Sequence, residues 1–267
     1  MTLVTISTIK GAPGCTTLAL LLAKSIGDSG LSPLAGSSVL LLECDPAGGD
    51  VGPRLDLPGV PGLASLALVA RHGFEAEAVG DHTQSSPRLP GADLLLGVAG
   101  PEQGIALEWM FQPLALMVAE DRRWVIADLG RLSLREGYND EFRSRASVNL
   151  LVTADRVASL LQVRAAVEAC RRRDVDVHLV LSGERLHPIP HVERTTGAGV
   201  LGTLRNDPAA IAHLLGRSSR LETSWRRSRL WPRRASSAGV RADVAGLFRS
   251  LRDLVETTDL QCPVAAP

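Results

Sequence analysis

The sequence predicts a single α/β domain in which a mostly parallel, twisted sheet is covered by helices on both faces. Short runs that are apolar throughout alternate with amphipathic stretches along the chain, a pattern typical of buried parallel strands joined by helices. Neither an internal repeat nor a change of composition marks a linker in the 267 residues. We therefore expect one domain over residues 1–256 and a short, disordered tail over residues 257–267.

The elements follow in order from hydrophobic periodicity and turn residues. Strands are expected at residues 3–8, 39–44, 94–98, 124–127, 148–153, 177–181 and 200–204. Helices are expected where apolar residues recur at helical spacing, at residues 16–26, 62–71, 105–119, 156–172, 208–215 and 240–255. The polar, proline-containing segment 81–90 is expected to form a surface loop.

Composition excludes several classes of protein. The 29 basic and 29 acidic residues cancel, which argues against a protein that coats nucleic acid over its whole surface. Aromatic residues make up 3% of the chain, too few for an aromatic platform that stacks single-stranded bases. The four cysteines form no CxxC pair, so reduced thiols are expected. With no apolar run of about 18 residues and no signal-peptide pattern, a cytoplasmic protein without an integral membrane segment is expected.

The strongest chemical signal is the loop of small residues between the first strand and the first helix. Residues 9–17 read Ile-Lys-Gly-Ala-Pro-Gly-Cys-Thr-Thr. Main-chain amides in such a loop converge on an anion, and the helix dipole adds positive potential. Thr16 has the position from which a hydroxyl reaches Mg²⁺ in phosphate-binding loops. The pattern GxxxxGK[ST] nevertheless requires lysine where Cys15 stands, so a simple packing turn is the alternative.

Five segments together resemble one family. Residues 10–17 resemble the deviant Walker A loop, KGGVGKTT, of the ParA/MinD family of P-loop ATPases. Residues 43–50 look like its DxDPxG segment, and residues 124–130 like its Walker B strand. Residues 148–159 and 202–207 are similar to the strand–helix element and the GxIPxD segment that follow. The resemblance covers almost the whole chain in order and implies the three-layer P-loop NTPase fold.

The resemblance implies ATP and Mg²⁺ as cofactors and a homodimer as the active form. Lys10 would reach the phosphates held by the partner subunit, and Asp45 would position the attacking water, so these two residues are the catalytic candidates. The nucleotide-binding candidates are Gly11, Ala12, Gly14, Cys15, Thr16, Thr17 and Asp207. The candidates for the Mg²⁺ site are Thr16, Glu43 and Asp128.

Each acidic or hydroxyl candidate also has a purely structural alternative. Asp45 could cap the turn before Pro46, and Asp128 could be a turn residue before Gly130. Thr16 and Asp207 could be helix N-caps, Asp207 for the helix that begins near residue 208. We expect the functional roles of Thr16, Asp45 and Asp128 to hold because three such coincidences would be needed together, whereas for Asp207 the cap is the favoured interpretation.

Cys15 determines how much activity is expected. The lysine that it replaces neutralises phosphate charge, and a hydrogen bond to an ionised group contributes about 1.5–3 kcal/mol. Binding would weaken by about 10- to 100-fold, and hydrolysis would suffer more. We therefore expect nucleotide-dependent dimerisation with slow or absent hydrolysis. Cys15 itself is expected to be a small neutral filler, with a low-pKa redox sensor as the alternative.

Base recognition departs from the family pattern too. Ser182 stands where the family often has an asparagine, and Arg205 stands where it usually has a proline. No NKxD motif for guanine is present, which favours ATP over GTP. His187 and His191 lie close together in a proline-rich segment, but without a nearby acid or cysteine at ligand spacing no zinc site is expected.

An arginine-rich segment offers a second candidate surface. Its candidate contacts with non-specific DNA or with an unknown protein partner are Arg226, Arg227, Arg229, Arg233 and Arg234; a solvated loop is the alternative. The resemblance implies a role in spatial organisation, either partitioning or the localisation of pilus and secretion machinery of the Tad type. Two alternatives remain open: a nucleotide-independent pseudo-ATPase scaffold and a DNA-binding partition ATPase.

Overall fold

The structure is a computed structural model. It describes residues 2–9, 14–30, 38–71, 73, 76–133, 139–216 and 237–261. Residues 10–13, which belong to the predicted phosphate loop, and residues 217–236, which hold the arginine-rich segment, lie outside the described residues.

Eight strands form one sheet in the order β3-β4-β2-β5-β1-β6-β7-β8. Their bounds are β1 Thr2–Thr8, β2 Val39–Glu43, β3 Gln84–Ser86, β4 Leu89–Leu95, β5 Trp124–Arg131, β6 Val148–Ala154, β7 His178–Ser182 and β8 Val200–Leu204. All neighbouring strands pair in parallel except the edge strand β3, which is antiparallel to β4. The mostly parallel sheet predicted from the apolar runs is confirmed.

Helices cover both faces of this sheet. Their bounds are α1 Cys15–Asp28, α2 Val51–Leu55, α3 Leu63–Ala70, α4 Ala76–Asp81, α5 Pro101–Ala106, α6 Glu108–Val118, α7 Asp140–Arg145, α8 Val157–Arg171, α9 Ile189–Thr196, α10 Pro208–Leu214 and α11 Ser237–Gln261. Within the described ranges, none of them combines the length and the hydropathy that crossing a membrane requires.

The core consists of two layers separated by the sheet. Because side chains alternate along a strand, Leu41 of β2 packs in the layer formed with α1, α10 and α11, whereas Leu40 and Leu42 pack in the layer formed with α3 and α6. A further cluster beneath α8 and α9 extends the second layer. Strands buried on both sides in this way account for the uniformly apolar runs in the sequence.

The segment 81–90 was predicted to be a loop, and this prediction is wrong in part. It contributes β3 and the start of β4, so that β4 begins at Leu89 and not at the predicted residue 94. Pro90 and Gly91 look like turn residues in the sequence, but they lie in β4 where α1 approaches very closely. A Cβ at Gly27 of α1 would lie 2.2 Å from the Pro90 carbonyl oxygen, so glycine serves close packing here.

Two helices also differ from the sequence-based bounds. The single helix predicted over 105–119 is a pair, α5 and α6, that breaks at Leu107. α5 packs against the β2–α2 loop, where a Cβ on Gly104 would lie 2.2 Å from the Pro46 carbonyl oxygen. α11 runs to Gln261, beyond the residue 257 at which the tail was expected to begin, and residues 262–267 lie outside the described residues.

Candidate functional site

The strand order brings three chain segments together at one edge of the sheet. β5 lies between β2 and β1, and parallel strands present their carboxyl ends on the same side, where open α/β sheets bind ligands. Glu43 at the end of β2 is the register partner of Asp128 in β5. The segment that follows β1 leads into α1 at the same edge. The predicted phosphate loop and the predicted acids are therefore neighbours.

Gly14 leads directly into α1. Its φ of 131° lies in a region that residues with a Cβ rarely adopt, and a Cβ there would lie 3.3 Å from the Ser182 Oγ. The Gly14 carbonyl oxygen accepts the first helical hydrogen bond, from the Leu18 amide at 2.7 Å. No side chain among the described residues caps the amides of the first turn. Thr16 and Thr17 are both half-buried in that turn.

The Cys15 thiol points toward Asp128. Its Sγ lies 3.0 Å from the Asp128 Oδ1 and 3.4 Å from the Ile6 carbonyl oxygen. Burial and, next to it, the negative charge of Asp128 raise the pKa of Cys15 well above its ordinary value. A neutral thiol that donates its proton to Asp128 follows from this environment. It favours the neutral-filler interpretation over the low-pKa alternative, and the role of Cys15 stays a prediction.

Asp128 is fully buried, with an exposure of 0%. Its Oδ1 accepts a hydrogen bond from the Gly130 amide at 3.1 Å as well as the one from the thiol. Its Oδ2 has no hydrogen-bonding partner among the described residues. A buried carboxylate oxygen without a partner costs free energy unless a donor or a cation compensates it. A cation, a water molecule or a donor from outside the described residues would satisfy this oxygen.

Asp45 lies directly beside Asp128. A Cβ on Gly130 would lie 2.1 Å from the Asp45 Oδ2, so the carboxylate rests on the main chain of the Asp128–Gly130 segment. Burial raises the pKa of Asp45, the hydrogen bond from the Ala47 amide at 2.8 Å opposes this, and the charge of Asp128 raises it further. Asp45 therefore closes the turn after β2, as the structural alternative predicts. Its carboxylate also lies next to Asp128, a predicted Mg²⁺ ligand.

Glu43 has a different environment from the one expected of a metal ligand. Its Oε1 accepts hydrogen bonds from the amides of Asp50 and Val51, at 2.5 and 2.7 Å, and its Oε2 accepts one from the Gly97 amide at 2.9 Å. Burial raises the pKa of Glu43 despite these bonds. Because both oxygens accept hydrogen bonds from main-chain amides, Glu43 anchors the loops that follow β2 and β4. A role in the Mg²⁺ site stays a prediction.

Asp207 caps α10. Its Oδ1 accepts a hydrogen bond from the Ala210 amide at 2.9 Å, which is the structural alternative that the sequence left open; a contact with nucleotide stays a prediction. The neighbouring Arg205 donates two side-chain hydrogen bonds to Asp243 of α11, at 2.7 and 2.9 Å. The arginine that replaces the family's proline thus ties the end of β8 to the last helix.

Sequence reasoning missed one further cluster at this edge of the sheet. Asp155, which follows β6, accepts hydrogen bonds from the amides of Leu186 and His187, at 2.6 and 2.8 Å, and lies 2.7 Å from the His187 Nδ1. The ring of His191 stacks on that of His187 with centroids 5.4 Å apart. In the described part of the chain, no three metal-ligating side chains are grouped to hold a metal ion. An acid at the carboxyl end of a buried strand was the only signal that could have indicated Asp155.

Several predicted residues cannot be placed in this site. Lys10, Gly11 and Ala12 of the loop lie outside the described residues, and the same holds for Arg226, Arg227, Arg229, Arg233 and Arg234. Their roles stay predictions. Of the candidates that are described, Gly14, Cys15, Thr16, Thr17, Asp45 and Asp128 share the edge formed by β1, β2 and β5.

Comparison with known proteins shows that this architecture is shared although the sequence has diverged. No model of a protein family matches the chain, and no curated protein matches its sequence significantly. Solved structures do match the chain over nearly its whole length.

Three of these structures belong to ATPases of the MinD and ParA type. The septum site-determining protein MinD complexed with Mg-ADP from Pyrococcus horikoshii OT3 has a TM-score of 0.70 and 15% identity, over 97% of this chain and 99% of that one. A ParA family ATPase from Chlorobium tepidum TLS has a TM-score of 0.67 and 14% identity, over 92% and 96% of the two chains. A complex of a Cyanothece McdA variant with ATP has a TM-score of 0.63 and 14% identity, over 96% of each chain. The predicted P-loop NTPase fold of the MinD and ParA type is confirmed.

Proposed function

We propose that this chain, which has the fold of the MinD and ParA ATPases, binds ATP·Mg²⁺ at the edge formed by β1, β2 and β5 and dimerises in response. Its task would be spatial organisation, as a partitioning or localisation factor, with slow or absent hydrolysis. The observation that carries the proposal is the Oδ2 of the fully buried Asp128, which has no hydrogen-bonding partner among the described residues and lies beside the first turn of α1.

The described residues fit a nucleotide with its metal ion. Gly14 has a φ of 131°, and because glycine has no Cβ the main chain there can approach a ligand closely. The amides in the first turn of α1, which no described side chain caps, favour an anion. Thr16 would supply a hydroxyl ligand to Mg²⁺, and Asp128 would accept hydrogen bonds from the water around it. Bound Mg²⁺ neutralises part of the phosphate charge. Asp45 would orient a water molecule and accept its proton, a role that its raised pKa supports.

The neutral Cys15 thiol supports slow or absent turnover. It adds no positive charge where a P-loop lysine would stabilise the charge that develops on the phosphate oxygens. Two structural relatives were solved with nucleotide, MinD from Pyrococcus horikoshii with Mg-ADP and McdA from Cyanothece with ATP. They support nucleotide binding by this fold, and the charge that a partner's Lys10 would contribute supports dimerisation.

A second candidate function is a scaffold that needs no nucleotide. The observation in its favour is that the Cys15 thiol already donates to Asp128, at 3.0 Å, and so satisfies one oxygen of the buried carboxylate without any ligand. In that case the site would be held closed by its own side chains. The two candidates make opposite predictions about binding.

Titration of the full chain with ATP and Mg²⁺, followed by calorimetry and by sedimentation, separates them. If the chain is a nucleotide-dependent dimeric switch, titration should release or absorb heat and the sedimenting mass should double. Asp128→Asn should then remove the Mg²⁺-dependent part of the affinity for ATP. Asp121→Asn is the matched control, because Asp121 precedes β5 at the opposite end and pairs with Arg123. An absence of both heat and mass change in the unmodified protein would eliminate the switch and leave the scaffold.

The variant Cys15→Lys tests the explanation for slow turnover. A restored ammonium should tighten binding of ATP·Mg²⁺ by about 10- to 100-fold and raise the rate of phosphate release. Cys44→Ala is a suitable control because Cys44 is buried nearby on β2's side of the site and its thiol replaces no lysine. If Cys15→Lys changes neither affinity nor rate, the account of this loop is wrong.

A further inference from the structure

A site for polyphosphate that has lost its lysine needs another source of positive charge. The described side chains closest to Asp128 add negative charge, since Glu43 and Asp45 are both acidic, and the Cys15 thiol is neutral. A cation that reaches the first turn of α1 would therefore change the electrostatics of the site. Such a cation is present on α2.

Arg54 of α2 reaches the first turn of α1. Its Nη1 donates a hydrogen bond to the Thr17 Oγ1 at 3.1 Å, and its Nη2 donates one to the Asp50 Oδ2 at 3.1 Å. A guanidinium carries five N–H donors in a planar fork that suits phosphate oxygens. The Arg54 side chain is 32% exposed, so further donors can turn toward a ligand beside Thr17.

The surrounding structure holds Arg54 in this place. Glu43 accepts hydrogen bonds from the amides of Asp50 and Val51, which lie at the start of α2, and Val51 and Leu55 are buried in the core. The Arg54 carbonyl oxygen accepts a hydrogen bond from the Arg88 Nη1 at 3.4 Å. α2 is therefore held in place, and the Arg54 side chain reaches the first turn of α1 through its hydrogen bond with Thr17.

The ion pair with Asp50 would not prevent a contact with phosphate. Asp50 is 65% exposed, and ion pairs between exposed side chains contribute little to stability. A phosphate oxygen offers the guanidinium a stronger, bidentate partner. Exchange of Asp50 for phosphate is thus favourable while the hydrogen bond to Thr17 is kept.

We infer that Arg54 contacts the phosphates of the bound nucleotide and supplies from α2 the positive charge that the loop lacks at Cys15. The inference rests on the proposed function, because it requires nucleotide beside Thr17. It makes Arg54 a binding residue and explains how a loop without its lysine retains affinity.

The test compares ATP·Mg²⁺ affinity of the full chain with that of Arg54→Gln, Arg54→Lys and Arg252→Gln. Arg252 is the matched control, because it too forms an i,i+4 ion pair, with Glu256, but lies on α11. Arg54→Gln should weaken binding by about 10-fold or more, Arg54→Lys should recover part of the loss, and Arg252→Gln should bind normally. The loss should shrink as salt is raised, because screening weakens Coulombic attraction.

The outcomes distinguish the inference from the proposed function. If the unmodified protein binds ATP·Mg²⁺ and Arg54→Gln binds equally well, the inference fails and the proposed function stands. If the unmodified protein does not bind, both fail. If Arg54→Gln and Arg54→Lys lose affinity equally, with no response to salt, Arg54 acts only as a tether between α2 and α1 and the inference is overturned. Thermal unfolding without nucleotide verifies that each variant is folded.

Discussion

At the scale of single residues, Cys15 determines the character of the site. Its short thiol donates to Asp128, whereas a lysine at this position could reach a phosphate. Burial and the charge on Asp128 raise the pKa of Asp45. Asp45 and Asp128 therefore lie beside a neutral thiol.

The inward thiol should be chemically inert. Cys15 is 7% exposed and its pKa is raised by burial and by Asp128, so little thiolate is present to attack an electrophile. We expect no modification by iodoacetamide of the native protein at about pH 8, and complete modification in denaturant, as read by peptide mass spectrometry. Cys44, which is 1% exposed, serves as the internal reference. Rapid alkylation of Cys15 in the native protein would contradict this environment.

At the scale of elements, the turn after β2 and the end of β5 depend on each other. Gly130 has a φ of 62° and lies against the Asp45 carboxylate. The turn after β2 is in turn held by the hydrogen bonds that Glu43 accepts. A loop and a strand end that are far apart in sequence therefore pack against each other, and a small change at Gly130 should move Asp45.

We expect Gly130→Ala to destabilise the protein more than Gly30→Ala does. Both glycines have a left-handed φ, 62° and 64°, but a Cβ at Gly30 meets nothing within 4 Å. Gly30→Ala should cost about 1–2 kcal/mol of unfolding free energy from backbone strain alone, and Gly130→Ala about 1–3 kcal/mol more from the clash with Asp45. Urea unfolding measures the difference; equal losses would show that Asp45 does not press on Gly130.

Asp155 makes the segment between β7 and α9 sensitive to acid. Burial alone would raise its pKa, but the hydrogen bonds from His187 and Leu186 outweigh burial and hold the pKa of Asp155 below its usual value. A lowered pKa adds stability that is present above the unfolded-state pKa of about 3.9 and is lost as the pH falls through the folded-state value.

Asp155→Asn should therefore reduce the urea midpoint at about pH 7 and should reduce it less at about pH 3, because the contribution of the ionised carboxylate falls once the pH is below the unfolded-state pKa of about 3.9. Asp176→Asn is the control, because Asp176 is 80% exposed beside His178. Parallel losses for Asp155→Asn at both pH values would show that the carboxylate's charge does not contribute.

At the scale of the whole molecule, a balanced net charge limits where DNA could bind. With 29 basic and 29 acidic residues, non-specific binding would require a local patch, and the arginine-rich segment is the predicted one. It lies outside the described residues, so DNA binding stays a prediction and depends on experiment.

A mobility-shift assay at two salt concentrations tests this surface. If the segment contacts DNA, retardation at about 50 mM salt should weaken greatly by about 200 mM, and replacing Arg226, Arg227 and Arg229 by glutamine should abolish it. Replacing the exposed Arg122, Arg164 and Arg172 by glutamine provides a control of equal charge change. No retardation at low salt would remove the DNA-binding alternative.

Much of the architecture could be predicted from the sequence because burial of both sheet faces requires uniformly apolar strands. β8 occupies the predicted residues, and β1, β2 and β6 differ by one residue at an end. The prediction failed at β3 and β4, where Pro90 and Gly91 mimic a turn while they permit close packing of α1. Local composition could not distinguish a proline–glycine pair in a turn from one in a strand that packs closely against a helix.

Three features could be predicted from the order of residues alone: the alternation of strands and helices, the edge at which the acids lie and a loop with a cysteine where the P-loop pattern has lysine. Each is a property of a short segment. The tertiary structure decides which side chains meet. It pairs Cys15 with Asp128, 113 residues apart, and Arg54 with Thr17, 37 residues apart. The strand order and the packing of the helices bring these pairs together. Such contacts arise from the arrangement of the whole chain, and no local spacing encodes them.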